Sequence, residues 1–177
     1  MIFDNATRYG TVSRVLHWGM AALFAAQFTS AAARALLPRD NALRDALWSY
    51  HTTLGTTLFL LVLLRGIWGI INMSRRPQHE GRFATAAKFG HLALYFLMIL
   101  VPATRILAAA GSERGLTYLG MEIFPPREAE IAWTQIAAAW HGEMGWLLAI
   151  LVVGHIAMAI GWHHLINRDG ILRRMIG

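Results

Sequence analysis

The chain has no cysteine, which removes disulfides, zinc–thiolate sites, iron–sulfur clusters and covalently attached c-type haem. Charge is scarce too. Charged residues make up 15% of the 177, against a soluble-domain norm of about 25%, and only ten of them are acidic. No low-complexity linker interrupts the chain, so 1–177 reads as one domain. What fills the deficit is apolar: 56% of the residues are hydrophobic. That imbalance points to lipid. A formal charge of +6 would suggest nucleic acid in a soluble protein. Here the basic residues flank long apolar runs, where they face phospholipid headgroups and set topology, and no nucleic-acid partner is expected.

A membrane-spanning helix needs roughly 20 mainly apolar residues. Four stretches qualify: 12–37, 46–73, 87–110 and 137–163. None alternates with period two, so strands are not expected in them. The fold class expected is an all-α integral membrane protein, a four-helix transmembrane bundle. Residues 1–8 do not resemble a cleaved signal peptide, because the apolar run that follows is long and carries His17. It is read as a retained first span. Trp18, Trp48, Trp68, Trp140 and Trp162 fall near span ends, where indoles favour the headgroup layer or pack on a cofactor.

Arginine and lysine set the orientation. One side collects Arg8, Arg14, Arg75, Arg76, Arg82, Lys88, Arg168, Arg173 and Arg174; the other has Arg34, Arg39, Arg44, Arg114 and Arg127. The excess places both termini in the cytoplasm. The third connection, 111–136, is the longest, and its end from Arg127 to Trp133 is expected to form an interfacial helix.

Ionisable groups within spans are costly, which makes them functional candidates. Five of the eight histidines lie there: His17, His51, His91, His141 and His155. A lone histidine is more often an inter-helix hydrogen-bonding group; five in one small bundle reverse that expectation. His141 and His155 are fourteen residues apart, which on a helix is about 21 Å of depth on nearly one face. Two ligands on one stripe, at that separation, suit two stacked haems. At the outer level only His51 and His141 are available. The inner level offers His17, His91 and His155, one more than a bis-histidine haem needs.

The same fourteen-residue interval separates His51 from Arg65 and His91 from Arg105. A buried guanidinium needs an anion, and a haem propionate serves; the alternative is interfacial snorkelling. His51…Gly55 and His141…Gly145 place a glycine one turn beyond each outer histidine, which clears space for a flat macrocycle. Zinc is disfavoured, because it wants three or four ligands at one level and these histidines fall in pairs. His79 is expected in a solvated loop, and His163 and His164 at an interface.

Several segments together resemble the bacterial cytochrome b561 family over nearly the whole chain: Ser13-Arg14-Val15-Leu16-His17-Trp18, Tyr50-His51-Thr52-Thr53-Leu54-Gly55, Gly90-His91-Leu92, Trp140-His141-Gly142-Glu143, Gly154-His155, and the tail His163-His164…Leu172-Arg173-Arg174-Met175. The resemblance implies a multi-pass protein of the bacterial inner membrane with two b haems, one held by His17 and His155 and the other by His51 and His141. His91 would then contact a propionate or a quinone. The members most similar to this chain oxidise superoxide and reduce ubiquinone; others are membrane anchors for a hydrogenase or formate dehydrogenase. Implied partners are therefore the bilayer, quinone, and either superoxide or a redox partner protein. Arg34, Arg39, Arg44 and Arg105 are the candidate collectors of superoxide on the outer face.

Overall fold

The computed structural model describes residues 1–77 and 83–176; His79 and Arg82 lie outside the described residues. The elements run α1 (Thr11–Leu36), α2 (Ala42–Ser49), α3 (His51–Ile71), α4 (Ala84–Ala110), β1 (Leu116–Tyr118), β2 (Met121–Phe124), α5 (Ala132–Ala139) and α6 (His141–Ile156). The last apolar helix continues with wide, π-type winding over Ala157–Ile166, and the chain ends in a short α7 (Arg173–Ile176).

Among the described residues three helical stretches are long and apolar enough to cross a membrane: Ala42–Ile71, Ala84–Ala110 and Ala132–Ile166. The first helix is not among them. Its 26 residues give about 39 Å of length, but Arg14, His17, Gln27 and Arg34 dilute its hydropathy. It packs on α3, α3 packs on α4, and α4 packs on α6. The shared core is Met20, Leu58, Val62, Leu94, Leu97, Met98, Val101 and Leu148. Half of it comes from α4 at the i, i+3, i+4, i+7 spacing of one helical face.

The second and last apolar stretches are built alike. In each, an eight-residue helix stops at one aromatic residue, and the long helix restarts on the next residue, a histidine: α2–Tyr50–His51 and α5–Trp140–His141. Both stretches therefore begin earlier than the hydropathy suggests, at Ala42 and Ala132. Asn41 starts the first one, its side-chain oxygen accepting from the Leu43 and Arg44 amides at 3.0 and 3.2 Å, which satisfies two of the free N–H groups of the first turn.

The connection after α4 differs from expectation. Residues 127–131 are not helical, so of the interfacial helix expected from Arg127 to Trp133 only the last two residues are helical, as the start of α5, and an antiparallel hairpin, β1–β2, precedes the segment. Leu119 and Gly120 both have positive φ, 50° and 80°, which is the backbone of a tight two-residue hairpin turn. Pro125 and Pro126 then bar a helix immediately after β2. Three- and four-residue strands are too short to show a period in sequence. At the base of this connection a Cβ on Gly111 would sit 2.2 Å from Thr134 Oγ1, and Thr134 is buried. Gly111→Ala is expected to cost about 1–3 kcal/mol by overpacking, read as a lowered midpoint for thermal unfolding in detergent.

At the opposite end the two termini meet. The Tyr9 amide donates to the Arg174 carbonyl at 3.1 Å, and Trp18 Nε1 donates to the Met175 carbonyl at 3.1 Å. Beneath them lies Asp4, 3% exposed. Its carboxylate accepts from the Gly10 amide (2.8 Å), Ser13 Oγ (2.6 Å) and Arg76 Nε (3.1 Å). Trp68 Nε1 donates to Ser13 Oγ at 2.9 Å, and Phe3 stacks on Trp68. Burial in this cluster pushes the Tyr9 phenol above its usual pKa, against the Arg76 charge nearby. Arg75 and Arg76 thus have protein partners, Phe3 and Asp4, in addition to any lipid they meet. Trp68 likewise serves this cluster instead of lying free at an interface.

Candidate functional site

The interior face of α6 carries the site. This helix is unbroken from His141 to Ile156, so His141 and His155 keep one stripe, about 21 Å apart in depth. It packs along α4, whereas neither α1 nor α3 approaches it closely along its length. Side chains span that lane.

His51, the first residue of α3, faces His141, with ring centres 6.3 Å apart and planes at 79°. His17 of α1 faces His155 with the same 6.3 Å separation and planes at 71°. His91 of α4 also approaches His155, at 5.3 Å. Two imidazoles sharing one iron are separated by two metal–nitrogen bonds of about 2.0 Å and two nitrogen-to-centre offsets of about 1.1–1.2 Å, about 6.3 Å in all. Both long pairs fit that requirement. The His91–His155 pair is about 1 Å too short, which separates two candidates that have the same depth in sequence. Among the described residues no group of three or more His, Cys, Asp or Glu converges as a metal site.

The groups behind the rings differ between the layers. His141 Nδ1 lies 2.9 Å from the Val101 carbonyl, next to Pro102, whose missing N–H loosens the ladder of α4. A carbonyl only accepts, so this ring carries its proton on Nδ1. His51 Nδ1 lies 2.8 Å from Ser30 Oγ. That hydroxyl donates to the Gln27 carbonyl at 2.7 Å, so it accepts from His51 and again places the proton on Nδ1. Both hairpin-end rings thus turn an Nε2 lone pair to ligation, the arrangement that a hydrogen-bond acceptor behind the ring imposes on metal-bound histidine. Gln27 Nε2 lies 3.2 Å from His51 Nε2, and Gln27 Oε1 is buried without a partner. The carboxamide and an iron compete for one lone pair, and the carboxamide is the end of a flexible side chain.

At the other layer Arg65 Nη2 lies 3.1 Å from His17 Nδ1, and a guanidinium only donates. Ligation through Nε2 requires a proton on Nδ1, so iron at this layer requires the guanidinium shifted or the ring turned. Arg65 is half-buried and also lies over Tyr95. His91 Nδ1 donates to the Ala87 carbonyl one turn back, at 2.6 Å. Arg105 is exposed at the hairpin end, and its charge reaches both His51 and His141.

Around the hairpin-end layer, Trp48 stacks on His51 with centres 4.3 Å apart, and the Arg34 guanidinium lies over Trp48 at 5.1 Å. Arg44 is a correction. Expected as a collecting surface charge, it is 8% exposed and paired with Asp45 at 2.9 Å. His163 pairs with Asp169 and takes no part in either layer. Ser30, Gln27 and Val101 gave no signal in sequence; a serine and a glutamine three residues apart in a span are the one trace that a polar partner was wanted there.

An apolar helical bundle with two facing imidazole pairs stacked along one helix defines a membrane cytochrome of b type. Residues 8–177 match the family described as prokaryotic cytochrome b561, and the chain belongs to that family. It is 28% identical over 181 residues to cytochrome b561 homolog 2 of Escherichia coli (strain K12), covering 100% of this chain and 96% of the relative. Membership and the apolar helices together make it a bacterial membrane protein that transfers electrons with b-type haem.

Proposed function

We propose that this chain is a four-span, di-haem cytochrome of the bacterial inner membrane that oxidises superoxide at its outer face and reduces ubiquinone. The observation that supports it most is the repeated 6.3 Å separation of His51–His141 and His17–His155. In this reading His51 and His141 would hold the outer haem and His17 and His155 the inner one. His91 would line the inner site as a propionate or quinone contact, and Arg65 and Arg105 would face propionates. When bound, each haem would supply a one-electron iron couple held by two imidazoles, which suits outer-sphere transfer and not oxygen activation.

The ends of the chain support a fourth span. Three crossings would leave the termini on opposite sides of the bilayer, yet Tyr9 bonds Arg174 and Trp18 bonds Met175. An even number suits that contact, and α1 is the helix whose length allows it. The basic excess read from the sequence on the terminal side supports a cytoplasmic location for that end. The chain's own residues then divide the work. The apolar core excludes water between the layers, Trp48 covers the outer ligand toward solvent, and exposed Arg34 and Arg39 attract a small anion.

The test has two parts. A pyridine haemochrome assay should give two haems per chain; one or none refutes the di-haem reading. Stopped-flow mixing with superoxide should reduce the protein, and ubiquinone should reoxidise it. Replacing Arg34 and Arg39 together by glutamine should slow the first step about tenfold at low salt, within the range that steering supplies. The difference should vanish as the Debye length falls from about 10 Å at 0.1 M to about 3 Å at 1 M. A slow, salt-independent reaction favours the second reading, an anchor subunit for a hydrogenase- or formate dehydrogenase-type enzyme. That reading draws on the hairpin, where Leu119 and Met121 are 69% and 58% exposed, apolar surface that a docked partner would cover.

A further inference from the structure

The two histidine pairs are alike in separation and unlike in what holds them. Ser30 sits on α1, 1% exposed, between the Gln27 carbonyl at 2.7 Å and His51 Nδ1 at 2.8 Å. Its single proton goes to the carbonyl, so its oxygen lone pair is left for the imidazole N–H. Across the lane, Val101 offers His141 Nδ1 a carbonyl oxygen at 2.9 Å. The hairpin-end pair therefore has an oxygen acceptor behind each ring. At the terminal end a guanidinium stands 3.1 Å behind His17, and Arg65 is more buried than Arg105.

We infer that Ser30 is a positioning residue that lowers the potential of the haem held by His51 and His141, while Arg65 raises that of the haem held by His17 and His155. The inference rests on the di-haem reading. An imidazole that donates Nδ1–H to oxygen gains basicity at Nε2. A more basic axial ligand stabilises oxidised iron over reduced iron and lowers the potential, axial ligation and second-shell hydrogen bonding both being levers on a haem. A guanidinium beside the layer does the opposite, even after the adjustment that ligation by His17 requires, because reduction adds a negative charge that it attracts, and more strongly where solvent is excluded. The two layers are pushed apart in the direction that draws electrons from the hairpin end to the terminal end. Ser30 touches neither iron nor substrate, so it acts only through the His51 ring.

The experiment is an optical redox titration of purified, haem-loaded protein, with haem content measured on the same samples. The variants are Ser30→Ala, Ser30→Thr and Arg65→Gln, with His51→Ala used to identify which couple belongs to the hairpin-end haem. Ser30→Ala should keep two haems and raise the potential of that couple alone. Ser30→Thr, which restores a hydroxyl, should return it toward the wild-type value. Arg65→Gln should lower the other couple. Loss of the hairpin-end haem in Ser30→Ala but not in Ser30→Thr also supports the hydroxyl's role. Equal loss in both refutes it, since a methyl and a hydroxyl at that site would then be distinguished only by bulk. Two haems with unmoved potentials, or equal shifts in both couples, overturn the inference and leave the di-haem reading standing. Fewer than two haems in the wild type overturns the di-haem reading itself, and no haem lost in His51→Ala overturns the His51–His141 pairing on which the inference rests.

Discussion

His51→Ala and His141→Ala should each remove one haem of two and leave the second spectrally intact. The expected loss is complete because the hairpin-end layer holds no substitute. The third histidine that approaches a pair, His91, lies against His155 at the other end, 5.3 Å from it. The helices should survive the loss. The bundle core of Met20, Leu58, Val62 and the α4 residues is apolar and does not include the rings. The parallel variants His17→Ala and His155→Ala should remove the terminal-end haem. Here His91 is close enough to intervene, so His17→Ala is the sharper test of the pairing. If His91→Ala abolishes that haem while His17→Ala retains it, the 6.3 Å criterion has selected the wrong partner. Pyridine haemochrome content and the split of the reduced α-band decide between these outcomes.

The ladder of histidines was legible in the sequence because of helical arithmetic. Fourteen residues bring a side chain back to nearly its own face, and α6 runs as one regular α-helix over that interval. The choice between His17 and His91 was not legible. Both lie at one depth, and only the rotation of α1 and α4 about their axes, set by the packing of Met20 and of Leu94–Val101, separates 6.3 Å from 5.3 Å. Burial of Arg44 was hidden for a similar reason: a charge near a span end reads as exposed until its own helix, here α2, folds back on α1 and covers it. The hairpin escaped because its strands are shorter than any period that reveals a strand. Ser30 escaped because one hydroxyl in a span is ordinarily bonded to its own helix, as it also is here, at the Gln27 carbonyl. Its second bond, to a residue twenty-one positions away, leaves no mark in local sequence.

Asp4→Ala should be the most destabilising single change outside the histidine layers. Its carboxylate gathers an amide, a hydroxyl and a guanidinium, and its own amide donates to Asn72 Oδ1 at 3.4 Å. Asn72 is fully buried. These bonds tie the segment before α1 to the end of α3, across 68 and 72 positions of sequence. Removing one partner of a buried pair leaves the other charge uncompensated and typically costs about 3–5 kcal/mol. The Arg76 side chain keeps 29% of its exposure, so solvent recovers part of that, and a loss of about 3 kcal/mol is expected. Asp4→Asn should cost less, because an amide oxygen still accepts from Gly10 and Ser13 and only the charge facing Arg76 is lost. Thermal unfolding in detergent, followed by far-ultraviolet circular dichroism, measures the ordering. Both variants should retain two haems below the transition, since Asp4 touches neither pair. A midpoint for Asp4→Ala equal to wild type would show that the termini are held by the backbone bonds of Tyr9 and Trp18's contact with Met175 alone, with the buried carboxylate contributing nothing net.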